Sequence, residues 1–248
     1  MLFSKEVAIV TGGAQGIGKA IAQALCADGA KVAVFDIDED KGAACVRDIK
    51  QSGADAFYYK CDVTNVQQMS NCVSLVAQTF GRIDILVNNA GMLHTTPIED
   101  ITEREWDKIM AVNLKSVFFM TQQVIPYMKE QGHGKVVNMS SVAGRMGGIA
   151  NGLGYTASKA GIIGLTHGFA NRLAKYNINV NAIAPGTTNT DILGAIEPQV
   201  LERIIENIPL KRLGETQDIA NAAVFLASSK ADFVTGAVLD VNGGMFVG

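Results

Sequence analysis

Short apolar segments alternate with longer helical patterns along this chain, and this alternation constrains its fold more than any other feature. It predicts a parallel sheet with helices on both faces, and the near-continuous apolar character of the strands agrees with burial on both sides. The predicted strands are Val7–Val10, Lys31–Phe35, Ala56–Lys60, Ile83–Asn88, Lys135–Met139, Asn179–Ile183 and Ala237–Val241. The predicted helices are Ile17–Ala27, Glu39–Ser52, Val66–Phe80, Glu103–Lys129, Tyr155–Tyr176 and Thr216–Ser228. The expected fold class is therefore α/β, with a doubly wound sheet of seven parallel strands.

Length and composition predict one domain over residues 1–248. The chain is 48% hydrophobic, which suffices for a large core, and it has no run of about 18 apolar residues that would cross a membrane. No linker, repeat or low-complexity segment divides it. The alternation breaks at about residues 186–210, where prolines bracket a short helical run. An insertion after a strand predicts a small lid over a site.

Charge and cysteine content exclude several kinds of partner. The chain has 21 basic and 24 acidic residues without a basic stripe, so we expect no nucleic acid partner. It has no signal-peptide pattern, and we expect no membrane partner. The four cysteines show no Cys-x-x-Cys spacing, which is typical of reduced, buried thiols in the cytoplasm, where we expect this protein: Cys26, Cys45, Cys61 and Cys72. His94, His133 and His167 lack metal-ligand spacing, so we expect no metal.

A glycine-rich loop joins the first predicted strand to the first predicted helix. It runs Thr11-Gly12-Gly13-Ala14-Gln15-Gly16-Ile17-Gly18. Small residues allow backbone amides and a helix N-terminus to approach a pyrophosphate, which predicts a dinucleotide site. A tight strand-to-helix turn without a ligand is the alternative.

Asp36 stands at the end of the second predicted strand, eighteen residues beyond Gly18. A carboxylate at this place can accept hydrogen bonds from an adenosine ribose and would repel a 2′-phosphate. No Arg or Lys follows directly, and Gln15 gives the loop no positive charge, so NAD is favoured over NADP. The alternative role for Asp36 is to cap the following turn.

Tyr155 and Lys159 are four residues apart at the start of a predicted buried helix, so they lie on one face, one turn from each other. Tyr155 is the only tyrosine in the chain with a lysine four places further on. Such a pair alone is also compatible with an ordinary surface helix. Its meaning depends on the other motifs.

Those motifs stand at the ends of other strands, as Asp62-Val63, Asn88-Asn89-Ala90-Gly91 and Pro185-Gly186. With the glycine loop, Asn113, Ser141 and the Tyr155/Lys159 pair, they resemble the short-chain dehydrogenase/reductases. The resemblance covers essentially the whole chain, down to Asp240-Val241-Asn242-Gly243-Gly244. It implies a Rossmann fold, a nicotinamide cofactor and hydride transfer between a secondary alcohol and a ketone.

The resemblance also implies which residues form the site. The implied catalytic residues are Asn113, Ser141, Tyr155 and Lys159. The implied cofactor-binding residues are Gly12, Gln15, Gly16, Ile17, Gly18, Asp36, Asp62, Val63, Asn89, Ala90, Gly91, Tyr155, Lys159, Pro185, Gly186, Thr188 and Thr190, with Thr187 beside them. Ser140 stands next to Ser141, but the family pattern places the catalytic serine second in the pair. The spacing from Ser141 to Tyr155 is one residue longer than in many relatives.

Alcohol–ketone chemistry accounts for these residue types. A proton must leave or join the oxygen at which hydride transfer occurs, which requires a general base or acid. Tyrosine has an ordinary pKa of about 10. The Lys159 ammonium, with the charge of an oxidised nicotinamide, would lower the pKa of Tyr155 toward working pH. Asn113 is either an ordinary buried amide or, as the resemblance implies, a water holder in a proton relay through Lys159.

Substrate and assembly remain partly open at this stage. Candidate pocket walls are residues 92–96, residues 141–153 and the lid. The alternatives to an alcohol dehydrogenase of the polyol or hydroxysteroid type are a 3-oxoacyl-carrier-protein reductase, a non-redox relative that keeps its NAD, and a non-catalytic NAD-binding regulator. Apolar residues on the long fourth helix and at the C-terminus, together with the resemblance, predict a homotetramer.

Overall fold

The computed structural model describes residues 1–148, 152–190, 193 and 197–248. Its centre is a seven-stranded sheet in the order β3-β2-β1-β4-β5-β6-β7, with every neighbouring pair parallel. The strands are β1 (Val7–Thr11), β2 (Lys31–Asp36), β3 (Ala56–Lys60), β4 (Ile85–Asn88), β5 (Gly134–Met139), β6 (Ile178–Pro185) and β7 (Val238–Val241). The fold class predicted from the sequence is confirmed.

Nine α-helices lie within the described residues. They are α1 (Gly16–Ala27), α2 (Glu39–Gln51), α3 (Val66–Phe80), α4 (Glu103–Met110), α5 (Ser116–Gln131), α6 (Val142–Met146), α7 (Leu153–Leu173), α8 (Pro198–Asn207) and α9 (Thr216–Ala227). Side-chain caps fix several of their starts, as where Asn65 accepts a hydrogen bond from the Gln68 amide at the beginning of α3. None of the helices in this part of the chain has the length and apolar character needed to span a membrane.

Two apolar layers cover the sheet, one on each face. On one face α1, α2 and α9 contribute Ile21, Leu25, Ile49 and Ile219 to a continuous buried cluster. On the other face α3, α5 and α7 contribute Met69, Val73, Val124 and Leu173 to a second cluster. The strands supply both clusters because successive side chains point to opposite faces, which explains their unbroken apolar sequences.

The chain reverses its direction of winding at β1. This strand pairs with β2 on one side and with β4 on the other, so Val10 lies between Val34 and Val87. The connections after β1 and β4 therefore leave the sheet in opposite directions and open a crevice at the carboxyl ends of these strands. Doubly wound sheets bind their ligands in such a crevice.

Three local features differ from the sequence prediction. The single helix predicted over Glu103–Lys129 is divided, since a π-helical turn over Ala111–Lys115 separates α4 from α5. Helix α6 was not predicted, because five residues are too few to show helical periodicity. Helix α7 begins at Leu153, two residues before the predicted start, so Tyr155 and Lys159 occupy its first turns as expected.

Candidate active site

The glycine loop between β1 and α1 has a backbone conformation and close contacts that residues with a side chain would not allow. Gly12 and Gly16 have φ values of +60° and +53°. A Cβ on Gly18 would lie 2.1 Å from the Gly12 carbonyl oxygen, so the first turn of α1 fits against the loop only without a side chain. The result is an open cradle at the N-terminus of α1, and the residues present fit a pyrophosphate there.

Asn89 joins this loop to the end of β4. Its side-chain amide donates hydrogen bonds to the carbonyl oxygens of Thr11 and Gly12, at 3.0 and 2.9 Å. In return, the Thr11 hydroxyl oxygen accepts from the backbone amides of Asn89 and Ala90, both at 3.0 Å. The two strand ends that border the crevice are thereby held at a fixed separation.

Asp36 lies at the end of β2 and faces the same loop. Its two carboxylate oxygens accept hydrogen bonds from the backbone amides of Ala14 and Asp38, each at 3.1 Å. The carboxylate is partly exposed and retains further lone pairs for a ribose hydroxyl. Asp36 thus shapes the turn and also presents a negative charge to the crevice, so the two roles considered from the sequence are compatible.

Lys41 is a neighbour of this region that the sequence analysis missed. Its ammonium donates a 2.5 Å hydrogen bond to the side-chain oxygen of Gln15 in the glycine loop and lies 3.7 Å from the Asp38 carboxylate. The residues directly after Asp36 in the sequence, at positions 37–40, include no cation. Lys41 stands five positions further on, in the first turn of α2, where the helix returns its side chain to the loop.

The motif after β3 forms a turn that leads into α3. The Asp62 carboxylate accepts hydrogen bonds from the amide and hydroxyl of Thr64, at 2.8 and 2.7 Å. Val63 is buried in the apolar cluster to which α3, α5 and α7 contribute, on one face of the sheet. The backbone of these residues is therefore fixed at the carboxyl edge of the sheet, on the side of the crevice where Asp36 lies.

Lys159 is a buried cation at the centre of the site. It is 5% exposed, and its ammonium donates a 2.8 Å hydrogen bond to the Met139 carbonyl oxygen at the end of β5. Burial lowers the pKa of this ammonium from its ordinary 10.5 to about 8. A buried, incompletely paired lysine is costly, and such groups concentrate at functional sites.

Tyr155 lies beside Lys159, whose ammonium is 5.6 Å from the centre of the phenol ring. Burial raises the pKa of the Tyr155 phenol, and hydrogen bonding from the Ser141 side chain opposes this rise. The expected lowering of this pKa is therefore not a property of the ligand-free protein. Here burial, which raises the pKa of the phenol, outweighs the hydrogen bonding from Ser141, and the phenol carries its proton at neutral pH.

The two serines after β5 have different environments. Ser140 is a structural residue, because its hydroxyl donates to the Lys159 carbonyl oxygen at 2.8 Å and its amide to that of Ile183, also at 2.8 Å. Ser141 caps α6, where its hydroxyl oxygen accepts from the Ala143 amide at 3.1 Å. Of the two serines, Ser141 is the one whose side-chain hydrogen bonding opposes the rise in the pKa of the Tyr155 phenol.

Asn113 lies in the π-helical turn and is fully buried. Its side-chain amide donates to the Met92 carbonyl oxygen at 2.9 Å and to the Ser158 hydroxyl at 3.1 Å, and its oxygen accepts from the Met92 amide at 2.8 Å. A Cβ on Gly91 would lie 3.5 Å from both the Asn113 side-chain oxygen and the Lys159 nitrogen. The side chain thus fixes the loop after β4 and borders a small space that also borders Lys159.

The segment after β6 begins at the edge of the same crevice. The Gly186 amide donates to the Val241 carbonyl oxygen at 3.0 Å, and the Thr188 hydroxyl donates to that of Gly186 at 3.1 Å. The Thr190 methyl group lies 3.7 Å from where a Cβ of Gly16 would stand, so this segment reaches the glycine loop. Residues 191, 192 and 194–196 of the predicted lid and residues 149–151 of the predicted pocket wall lie outside the described residues.

Comparison with known proteins agrees with this geometry. Residues 12–246 match the model of a family described as enoyl-(acyl carrier protein) reductase. A 3-oxoacyl-(acyl-carrier-protein) reductase of Staphylococcus epidermidis is 42% identical over 243 residues, which cover 97% of this chain and 98% of that one. The chain belongs to the short-chain dehydrogenase/reductase family, whose members bind a nicotinamide cofactor.

Solved structures give the same assignment. A putative gluconate dehydrogenase of Agrobacterium tumefaciens superposes with a TM-score of 0.94 at 32% identity, covering 98% of this chain and 96% of that one. A putative short-chain alcohol dehydrogenase of Sinorhizobium meliloti superposes with a TM-score of 0.93 at 38% identity, covering 98% and 97%. This protein is accordingly an oxidoreductase acting on CH–OH groups.

Proposed function

We propose that this protein interconverts a secondary alcohol and a ketone with NAD as cofactor, and that Tyr155 transfers the proton. The observation that carries the proposal is the buried Lys159 ammonium, 5.6 Å from the Tyr155 ring and held by the Met139 carbonyl. Burial lowers the pKa of the Lys159 ammonium to about 8, which shows that the charge is unfavourable there. An apolar side chain would fill the same position at lower cost, so packing alone does not explain a lysine.

The proposed roles follow from the atoms that each side chain presents. Ser141 holds the substrate oxygen, since its hydroxyl is the polar group that interacts with the phenol. Tyr155 takes the proton of the alcohol during oxidation and returns it during reduction. Lys159 stabilises the ionised phenol electrostatically. The nicotinamide, when bound in the cradle of Gly12, Gly16 and Gly18, supplies or accepts the hydride.

Asn113 has a proposed role in proton relay with Lys159. Its two amide hydrogens are used by Met92 and Ser158, so it is well fixed and has no free donor. Gly91 keeps a space open between the Asn113 oxygen and the Lys159 ammonium. A water molecule in that space would carry the proton from Lys159 toward solvent.

The preference for NAD is supported by Asp36. Its carboxylate faces the glycine loop, where it would accept from the ribose hydroxyls and repel a 2′-phosphate. Lys41 acts in the opposite direction, because its ammonium contacts Gln15 in the same loop. We propose that Asp36 dominates, since it is anchored by two backbone amides while Lys41 is half exposed.

The remaining proposals concern the surroundings of the site. We propose that residues 186–210 act as a lid, since Gly186 and Thr188 are tied to the strand ends while Thr190 reaches the glycine loop.

We also propose a cytoplasmic homotetramer. Trp106 and Phe118 are 39% and 38% exposed, and the Phe118 ring lies 5.6 Å from that of Phe169, so these helices present an apolar surface.

A 3-oxoacyl thioester is the second candidate substrate class, favoured by the name of the Staphylococcus epidermidis relative. The names of the structural neighbours favour a sugar acid or a simple alcohol instead. All of these substrates present a secondary alcohol or ketone to the same catalytic group. The site chemistry is therefore shared, and the pocket wall selects among them.

Absorbance of the reduced nicotinamide, measured with a substrate panel, tests the proposal. The panel contains polyols, sugar acids, hydroxysteroids and a 3-hydroxyacyl thioester, each with NAD and with NADP. We expect turnover with at least one class, and loss of it in Tyr155→Phe. Tight NAD binding without turnover on any class would instead indicate a non-catalytic regulator.

A further inference from the structure

Helix α6 carries Ser141 at its N-cap, yet its five residues are too few to be stable alone. Its position must therefore be set by contacts with the rest of the fold. On one side Gly144 packs directly on the backbone of α7, where a Cβ would lie 2.7 Å from the Lys159 carbonyl carbon. This contact sets the distance between α6 and α7.

The second contact comes from the end of the sheet. Arg145, in the last residues of α6, forms an ion pair of 3.1 Å with Asp240, near the end of β7. The two side chains are 21% and 20% exposed, so the pair is shielded from solvent. The guanidinium lies over the ring of Phe246 in the C-terminal segment, 4.6 Å from its centre.

This ion pair is incompletely satisfied. The Arg145 Nε, one Asp240 carboxylate oxygen and the Asn242 side-chain nitrogen are buried without a hydrogen-bond partner within the described residues. Buried networks of this kind cost stability compared with apolar packing of the same volume. Stability alone does not explain the pair, whereas a requirement to fix α6 does.

We propose that the Arg145–Asp240 pair, covered by Phe246, positions Ser141 against Tyr155 through α6. The proposal rests on the function proposed above, because it assigns a positioning role toward the serine of that site. Gly144 sets the spacing of α6 from α7, and the ion pair sets its orientation. The end of β7 and the C-terminal segment thereby help to hold the catalytic hydroxyl in place.

The Tyr155 phenol gives a readout that does not depend on turnover. The Ser141 hydroxyl lowers the pKa of Tyr155 against the effect of burial, so a displaced serine raises it further. Lys159, on the same helix, is a titratable group beside the phenol ring, and the His94 ring packs against Gly152 and Gly154 at the start of α7. Neither of them is a member of the Arg145–Asp240 ion pair.

The test compares Asp240→Asn, which removes the charge at constant size, with Asp240→Glu, which keeps it. Tyrosinate absorbance is titrated in the ligand-free protein, and the Tyr155 component is the difference from Tyr155→Phe in the same background. We expect the Tyr155 midpoint to move upward in Asp240→Asn and in Ser141→Ala, and to stay near the parent value in Asp240→Glu. Turnover should fall roughly tenfold in Asp240→Asn, with NAD affinity unchanged.

Asp232→Asn is the matched control, because Asp232 pairs with Lys135 at 2.6 Å at the opposite end of the sheet. It should leave both the titration and turnover unchanged. An Asp240→Asn protein with a lower melting temperature but an unchanged Tyr155 midpoint would overturn the positioning role. Should Asp240→Asn not fold, Phe246→Leu tests the same pair from the half-buried C-terminal segment, with the same expected shift and the same contradicting result.

The two proposals fail in different ways. Loss of the midpoint shift in Asp240→Asn, with the shift retained in Ser141→Ala, would reject the positioning role alone. Full turnover in Ser141→Ala and in Tyr155→Phe would reject the proposed function, and the titration would still decide whether the ion pair fixes α6.

Discussion

The Lys159 ammonium lies 5.6 Å from the centre of the Tyr155 ring and donates its hydrogen bond to the Met139 carbonyl oxygen, not to the phenol. The two groups are thus neighbours without a direct bond in the ligand-free protein. Burial acts on both of them, raising the pKa of Tyr155 and lowering that of Lys159 to about 8. Both shifts favour the neutral form of each group in the ligand-free protein.

Tyr155→Phe separates binding from chemistry. The change removes one oxygen and leaves the glycine loop and Asp36 untouched, so NAD should bind with nearly the same dissociation constant. Turnover should fall by roughly 10²–10⁴-fold, since the general acid–base group is lost. Equilibrium binding and steady-state rates measure the two effects. Retention of more than about a tenth of the parent turnover would contradict the assignment of Tyr155.

Replacement of Lys159 by methionine should stabilise the ligand-free protein. The folded pKa is about 8 and the ordinary value is 10.5, so the ammonium destabilises the fold by about 3 kcal/mol at neutral pH. The sign follows from linkage. Between these two values the unfolded chain binds more protons, so the stability of the parent rises with pH, and the penalty is complete below pH 8.

Melting temperatures of the parent and Lys159→Met, measured from pH 7 to pH 10.5, test this linkage. The variant should melt higher at pH 7, and the gap should close as the pH rises. Lys230→Met on the surface serves as a control, with no such gap. A variant that melts lower than the parent at neutral pH would show that the ammonium is better solvated than its burial indicates.

The strands and the motifs at their ends could be predicted from local sequence patterns. A strand buried on both faces is a continuous apolar segment, and the turn that follows it is visible in the adjacent residues. Such patterns did not predict contacts between distant segments. Arg145 and Asp240 are 95 residues apart, and nothing in either neighbourhood indicates the other. The π-helical turn at Asn113 was not predicted, because a polar residue among apolar ones is equally compatible with a regular helix. Lys41 was missed because it lies outside the glycine loop in the sequence. Only its side chain reaches the loop, where it contacts Gln15.

Cofactor preference should be set by Asp36 and moderated by Lys41. NAD should bind at least tenfold more tightly than NADP, which corresponds to about 1.4 kcal/mol. Asp36→Ala should reduce the preference mainly by improving NADP binding. Lys41→Ala should increase it, since that ammonium contacts the glycine loop through Gln15.

Calorimetric titration with both cofactors measures these constants. Lys50→Ala is the matched control, because Lys50 lies at the other end of α2, over the Phe57 ring, and should leave the ratio unchanged. Equal affinity of the parent for NAD and NADP would reject the dominance of Asp36.

Assembly through the apolar surface of α4, α5 and α7 is the last expectation. Phe118 is 38% exposed and lies 5.2 Å from Phe119 and 5.6 Å from Phe169, measured between ring centres. Met110, Leu114 and Leu165 line the surrounding cavity, so the apolar patch continues beyond Phe118, with Asp107 and Lys115 beside it. Closed two-fold symmetry would bury this patch against a second copy of itself.

Light scattering at micromolar concentration should report a tetramer for the parent and a smaller species for Phe118→Asp, because a carboxylate cannot be buried there unpaired. Leu75→Asp is the control, since Leu75 is 49% exposed on α3, outside this patch, and its variant should assemble as the parent does. A monomeric parent, or a Phe118→Asp variant that remains tetrameric, would remove this surface from the assembly.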